Sequence, residues 1–199
     1  LAAGQIGPEL VECVLRAFFA DYLRLVEPDA APLLDLEQIT FLDTPLEGSG
    51  VAARLPGRGT GERVTALVRV EPEALDDDEV AERIARALAR LAVPYGEPVL
   101  ASVLFLREGR PGVHLDSGVV SRIGNLEVLR LFYTTFGLST AWAEPFLARP
   151  EPLAWAFAAL MQPTQRTFEE HQAACLARIE QGGLDDERRA LLARVVAGG

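Results

Sequence analysis

Between Val64 and Leu106 the hydrophobic period of the chain changes twice, and this restricts the available folds more than any other feature. "RVTALVRVE" alternates Val64, Ala66, Val68 and Val70 with Thr65, Leu67, Arg69 and Glu71, the two-residue repeat of a strand. "DDDEVAERIARALARLAV" then sets Val80, Ile84, Leu88 and Leu91 on one helical face, with Glu79 and Arg83, and Glu82 and Arg86, as i,i+4 pairs on the other. "EPVLASVLFLR" follows as a nearly continuous apolar run of strand length, the pattern of a strand buried on both faces. Strand, helix and strand in this order predict a crossover unit, with residues 64–71 and 99–106 as parallel neighbours.

The flanking segments extend this unit. From Pro8 to Val26 the residues Leu10, Val11, Val14, Leu15, Phe18, Tyr22, Leu25 and Val26 recur at helical spacing and predict one helix with a wide buried face. "ITFLDTPL" and "GVAARL" are short β-like runs, and "PGRGTGE" reads as the hairpin connection into residues 64–71. "PGVHLDSGVV" and "LEVLRLFY" predict two more strands near the sheet edge, and beyond Thr140 the pattern is helical. The expected fold is α/β: a mixed central sheet flanked by helices over residues 1–140, with a C-terminal helical extension over 141–199 packed on it.

With 199 residues, 49% of them hydrophobic, the chain can bury one substantial core. A formal charge of -10 repels nucleic acid and anionic membrane at long range, so a DNA contact requires a local basic patch or a divalent ion. Every basic residue is arginine, which excludes Schiff-base catalysis, a P-loop lysine and a lysine general base. Cys13 and Cys175 are too few and too isolated for a disulfide framework or a zinc cluster, which fits a reducing compartment. No apolar run approaches the ~18 residues of a membrane span, and the apolar N-terminus lacks a basic lead-in, so a cytoplasmic protein without membrane contact is expected.

The chemistry worth testing lies in "RVEPEALDDD". If the strand runs on, Glu71 and Glu73 project from the same face as Arg69, and two carboxylates so placed could share a hard divalent cation. The ordinary alternative is that Glu71 pairs with Arg69 or a neighbouring strand and Pro72 ends the strand. Asp76, Asp77 and Asp78 then complement the positive N-terminus of the helix.

The order of helix, "FLD", short strand, strand ending in an acid, and amphipathic helix is similar to the recombination-promoting nuclease and putative-transposase group of the PD-(D/E)XK nuclease superfamily. The strings "YGEPVLASVLFLREGRPGV" and "LARPEPLAWAFAALMQP" resemble it too. The resemblance covers nearly the whole chain and implies a restriction-endonuclease-like core. It also implies a DNA endonuclease activity that uses Mg²⁺ or Mn²⁺ to activate water and stabilise charge on the scissile phosphate.

Carried over residue by residue, Glu71 stands at the motif glutamate, and an altered site would bind the metal through Glu71, Glu73 and Asp43, with Arg69 supplying positive charge beside the catalytic Glu71 and Glu73. Two positions depart: Glu73 occupies the place of the motif's Lys or Gln, and Gly50 the place of the strand aspartate. A glutamate in place of lysine reverses the sign of the charge that would orient water and neutralise phosphate. A migrated site would use Glu71 and Glu73 with Glu12, Asp43 or Glu47. An eroded site explains the same departures with fewer assumptions, and leaves a non-catalytic interaction module, or a homodimer, that keeps the fold.

Other constellations carry less. His171 and Cys175, four apart on a helix, form half of a zinc site without a second half, so packing is expected. His114, Asp116 and Ser117 lack a nucleophile elbow. "GRGTG" lacks the lysine and spacing of a phosphate loop, and the spacing of Trp142, Phe146, Trp155 and Phe157 suits a core.

Overall fold

A computed structural model describes residues 6–43, 46–91 and 96–198. The helices α1 (Pro8–Ala17) and α2 (Phe19–Val26) open the chain, and a single 3-10 turn at Ala31–Leu33 leads to the short β1 (Thr40–Phe41). There follow β2 (Ser49–Pro56), β3 (Arg63–Glu71), α3 (Asp77–Leu91), β4 (Val99–Phe105), β5 (Gly112–Ile123) and β6 (Leu126–Gly137). Four helices close the chain: α4 (Glu144–Leu147), α5 (Pro152–Ala158), α6 (Phe168–Gln181) and α7 (Asp186–Gly198).

The six strands form one mixed sheet in the order β1-β2-β3-β4-β6-β5. β3 lies parallel to β4, Thr65 opposite Val99 and Glu71 opposite Phe105, as the crossover pattern predicts. β2 and β3 form the expected antiparallel hairpin, and β6 is parallel to β4 and antiparallel to β5.

Strand alternation sends side chains to two cores. Val51, Ala53, Leu55, Val68, Val70, Leu104 and Phe136 pack against α1, α2 and the C-terminal helices. Ala52, Leu67, Val103 and Tyr133 pack against Val80, Ala81, Ile84 and Leu91 of α3. The C-terminal helices share the larger core with the sheet: Leu153, Phe157, Ile179, Leu192 and Val195 are buried in it.

The expected single helix over 8–26 is broken at Phe18, which leaves helical geometry (φ -128°, ψ 33°) while its N–H still reaches the Val14 carbonyl at 2.9 Å. The break re-aims the second segment, which buries Phe19, Tyr22, Leu23, Leu25 and Val26. Trp142, expected in the core, is more than half exposed, whereas Phe146 stacks on Phe136 at 5.3 Å and Trp155 is buried with its indole N–H on the Arg149 carbonyl. Among the described residues, no helix is long and apolar enough to cross a membrane.

Candidate functional site

Arg69 and Glu71 share the sheet face covered by α3, because they are two apart on a strand that buries every residue from Thr65 onward. Glu71 is the last strand residue and only 5% exposed, and Arg69, 2% exposed, is the largest fully buried side chain. Both Nε and Nη2 of Arg69 donate to Oε1 of Glu71, at 3.1 and 2.9 Å. The other carboxylate oxygen, Oε2, accepts from Nη1 of Arg83 at 3.0 Å, and Arg83 also holds Glu79 through Nη2 at 2.7 Å. A buried carboxylate thus lies between two guanidinium groups, each placed for charge-assisted bonding.

The arginines continue along α3. Arg83, Arg86 and Arg90 follow at three- and four-residue steps, so they share one flank of the helix and line a cavity of about 10 Å³ with Arg69, Leu46 and Glu47. That volume is at the lower limit for one water molecule. Glu47 accepts from Nη2 of Arg90 at 2.7 Å, and its Oε2 lies 3.6 Å from Nη1 of Arg86.

Glu73 does not share the buried setting of Glu71. The strand ends at Glu71 and the chain bends through Pro72, so the two-residue phase that would align the carboxylates is lost. The Glu73 side chain is 68% exposed, with its nearest cation, Arg107, 3.9 Å away. Asp43 is exposed and lines a different cleft, of about 300 Å³, with Glu12, Arg16, Leu46 and Gly50. Glu12 reaches from α1 to accept the Gly50 N–H at 2.7 Å. A Cβ on Gly50 would lie 2.5 Å from the Val68 carbonyl oxygen and 3.0 Å from Cδ1 of Leu46, so the backbone here has closed over the space an aspartate would need.

These residues do not suit a divalent ion. A cation at Glu71 would stand beside two guanidinium groups, and the carboxylates of Glu73 and Asp43 lie in other surroundings. Among the described residues no three His, Cys, Asp or Glu side chains are grouped to hold a metal.

Of the three aspartates, one caps α3 and two tie its first turn to β5 and β6. Asp76 Oδ1 accepts the Glu79 N–H at 2.8 Å, a helix cap, and the Asp77 carbonyl accepts the Tyr133 hydroxyl at 3.1 Å. Asp78 Oδ1 accepts the Val119 N–H at 2.8 Å, and this bond, with Arg122 close by, holds its carboxyl below the usual range.

The remaining sequence candidates find structural partners. His171 is buried, its Nε2 2.8 Å from the Ala158 carbonyl and 3.5 Å from the Cys175 sulfur, and burial pushes the Cys175 thiol up to about 11. The His114 ring meets the Pro111 carbonyl at 2.6 Å, Asp116 binds Arg110 and Thr135, and Ser117 binds Arg130, so the three form no triad.

The role of Arg83 escapes a reading of the strand alone, because it lies twelve residues past Glu71. The signal for it is the stripe Arg83, Arg86, Arg90 on the flank of the helix that must pack beside that strand. No protein-family model, curated protein or solved structure matches this chain.

Proposed function

We propose that this chain has a restriction-endonuclease-like core of the transposase-like nuclease group in which the metal site has given way to an arginine–glutamate ion-pair network. On this reading it does not hydrolyse DNA and serves as a non-catalytic interaction module that keeps the fold. One observation carries the proposal: both oxygens of Glu71, the motif glutamate of the resemblance, are taken by guanidinium groups. The closed space at Gly50 and the exposed setting of Glu73 support it. So does the element order: helices, β1 running into "FLD", β2, β3 ending at the acid, then α3 and β4.

Replacing a cation by two fixed guanidinium groups changes the chemistry of the site. Arg69 and Arg83 can neutralise a carboxylate, but they have no exchangeable water whose pKa they could lower, which is what metal-assisted hydrolysis requires. The test is incubation of the purified protein with plasmid and single-stranded DNA in Mg²⁺ or Mn²⁺, beside Glu71→Ala, together with calorimetric titration of Mn²⁺. The expected result is no cleavage and no heat of binding. Metal-dependent cleavage lost in Glu71→Ala overturns the proposal.

A further inference from the structure

His171 commits one ring nitrogen to the fold and leaves the other open. Its Nε2 lies 2.8 Å from the Ala158 carbonyl oxygen, which can only accept, so Nε2 carries a proton and in the neutral ring Nδ1 is a bare acceptor. Among the described residues Nδ1 has no hydrogen-bond partner. It is not sealed from solvent either, because the one side-chain polar atom both sealed and unpartnered among those residues is Nε of Arg189. A residue 1% exposed thus keeps a lone pair free, and the opening that reaches it is the cleft its ring lines.

That cleft, of about 250 Å³, is lined by Glu144, Leu147, Ala148, Gln165, Arg166 and His171. It lies just below the ~300 Å³ at which small-molecule pockets begin, so its occupant must be small. Two of its side chains carry opposite charges that do not meet. Glu144 engages Oε1 with the N–H groups of Thr164 and Gln165, at 2.7 and 3.1 Å, which keeps the carboxyl ionised and pins the backbone just before Arg166. Arg166 is exposed and makes no hydrogen bond or ion pair among the described residues, whereas Arg188 and Arg189 each find an acid, Asp185 and Asp186.

These three groups define what fits. Nδ1 and the Glu144 carboxylate accept while Arg166 donates, so the ligand must offer a cationic donor at one end and an anionic acceptor at the other. A zwitterionic α-amino acid meets both conditions, and Leu147 and Ala148 leave its side chain an apolar wall. A phosphate ester would set its negative charges beside the Glu144 carboxylate. A metal ion would want at least three protein donors, and no such group of His, Cys, Asp or Glu exists among the described residues.

We propose that the cleft between α4 and the start of α6 binds a free α-amino acid, with Nδ1 of His171 and the Glu144 carboxylate holding its ammonium and Arg166 its carboxylate. The proposal adds a small-molecule ligand to a chain read as non-catalytic, and its test involves no DNA, so the two stand or fall separately.

The test is calorimetric titration of the full chain with each standard amino acid at millimolar concentration. At least one with an apolar side chain is expected to bind. His171→Gln can keep the bond to Ala158 through its amide nitrogen but offers no lone pair at the Nδ1 position, and Arg166→Gln changes an exposed residue. Each is expected to raise the Kd roughly tenfold or more. Arg58→Gln, in the β2–β3 turn, should leave it unchanged, and circular dichroism checks that every variant is folded. The chain has two histidines, so nitrogen NMR spectra recorded beside His114→Gln assign the His171 ring. Nδ1 is expected to be unprotonated at alkaline pH and to shift when the amino acid is added. Failure of every amino acid to bind, binding indifferent to Arg166→Gln, or a proton on Nδ1 in the free protein at alkaline pH overturns the proposal. An α-hydroxy acid that binds as tightly as the amino acid with the same side chain also overturns it, since the ammonium then contributes nothing.

Discussion

Nη1 of Arg83 lies 3.0 Å from Oε2 of Glu71, an ion pair that ties the middle of α3 to the last residue of β3. On the other side of the same carboxylate stands Arg69, almost without contact with water. Removing Glu71 leaves the Arg69 charge buried and unpaired, so Glu71→Ala is expected to cost about 3–5 kcal/mol of unfolding free energy in a urea titration. Glu73→Ala, at an exposed position, should stay within about 0.5 kcal/mol. A neutral or stabilising Glu71→Ala would mean that the carboxylate is a strained functional group rather than a counter-ion.

The unit from β3 to β4 is legible in the sequence because each element keeps its period for long enough to be read: alternation up to Glu71, a helical stripe through Val80, Ile84, Leu88 and Leu91, then an unbroken apolar run. The Glu71–Arg69 pair is legible for the same reason, since two residues on one strand share a face. Glu73 shows where that rule stops: phase is defined only while the strand continues, and Pro72 marks its end. Glu47 reaches the site from the loop before β2, and Arg83 from α3, whose arginine stripe marks a flank of the helix but not the carboxylate it meets. The break at Phe18 leaves no mark in the pattern either, because the buried face continues on both sides of it.

The two cysteines should react differently. Cys13 is exposed on α1, whereas Cys175 is buried, its thiol raised to about 11 and its sulfur against the His171 ring. Because the thiolate is the reactive form, an aromatic disulfide reagent at pH 8 should titrate one thiol rapidly in the native protein and the second only after denaturation. Since His171 is bonded to the Ala158 carbonyl, a chelator should leave both the melting temperature and this pattern unchanged. Rapid reaction of both thiols in the native state would show that α6 is not packed as described.

Acid should loosen the C-terminal helices at one identifiable point. Glu144, at the start of α4, accepts the N–H groups of Thr164 at 2.7 Å and Gln165 at 3.1 Å, and these backbone bonds draw its carboxyl from the ordinary 4.5 down to about 2. A depressed carboxylate stabilises the fold fully above its unfolded pKa, and the contribution disappears as pH falls through the folded value. The stability difference between the parent and Glu144→Gln should therefore be constant above pH 4.5 and close as pH approaches 2. A difference that instead grew on acidification would carry the opposite sign and refute the assignment.

Placing at Gly50 the aspartate that the proposed nuclease reading calls for should fail for a steric reason that precedes any chemistry. Gly50 sits opposite Arg69 in the β2–β3 ladder, and a Cβ there would meet the Val68 carbonyl oxygen at 2.5 Å, a backbone atom that cannot rotate away. Overpacking of this kind costs about 1–3 kcal/mol. Gly50→Asp also sets a carboxylate close to Glu12, whose Oε1 already holds the Gly50 N–H. Gly50→Ala separates the two effects, since it adds the Cβ without the charge. Both variants are expected to melt below the parent, Gly50→Asp lowest, and neither is expected to bind Mn²⁺ in calorimetry. If Gly50→Asp folds with parental stability and gains Mn²⁺ binding, the strand retains the geometry of a metal site, and the ion-pair network around Glu71 gives way to a cation when a second carboxylate is supplied.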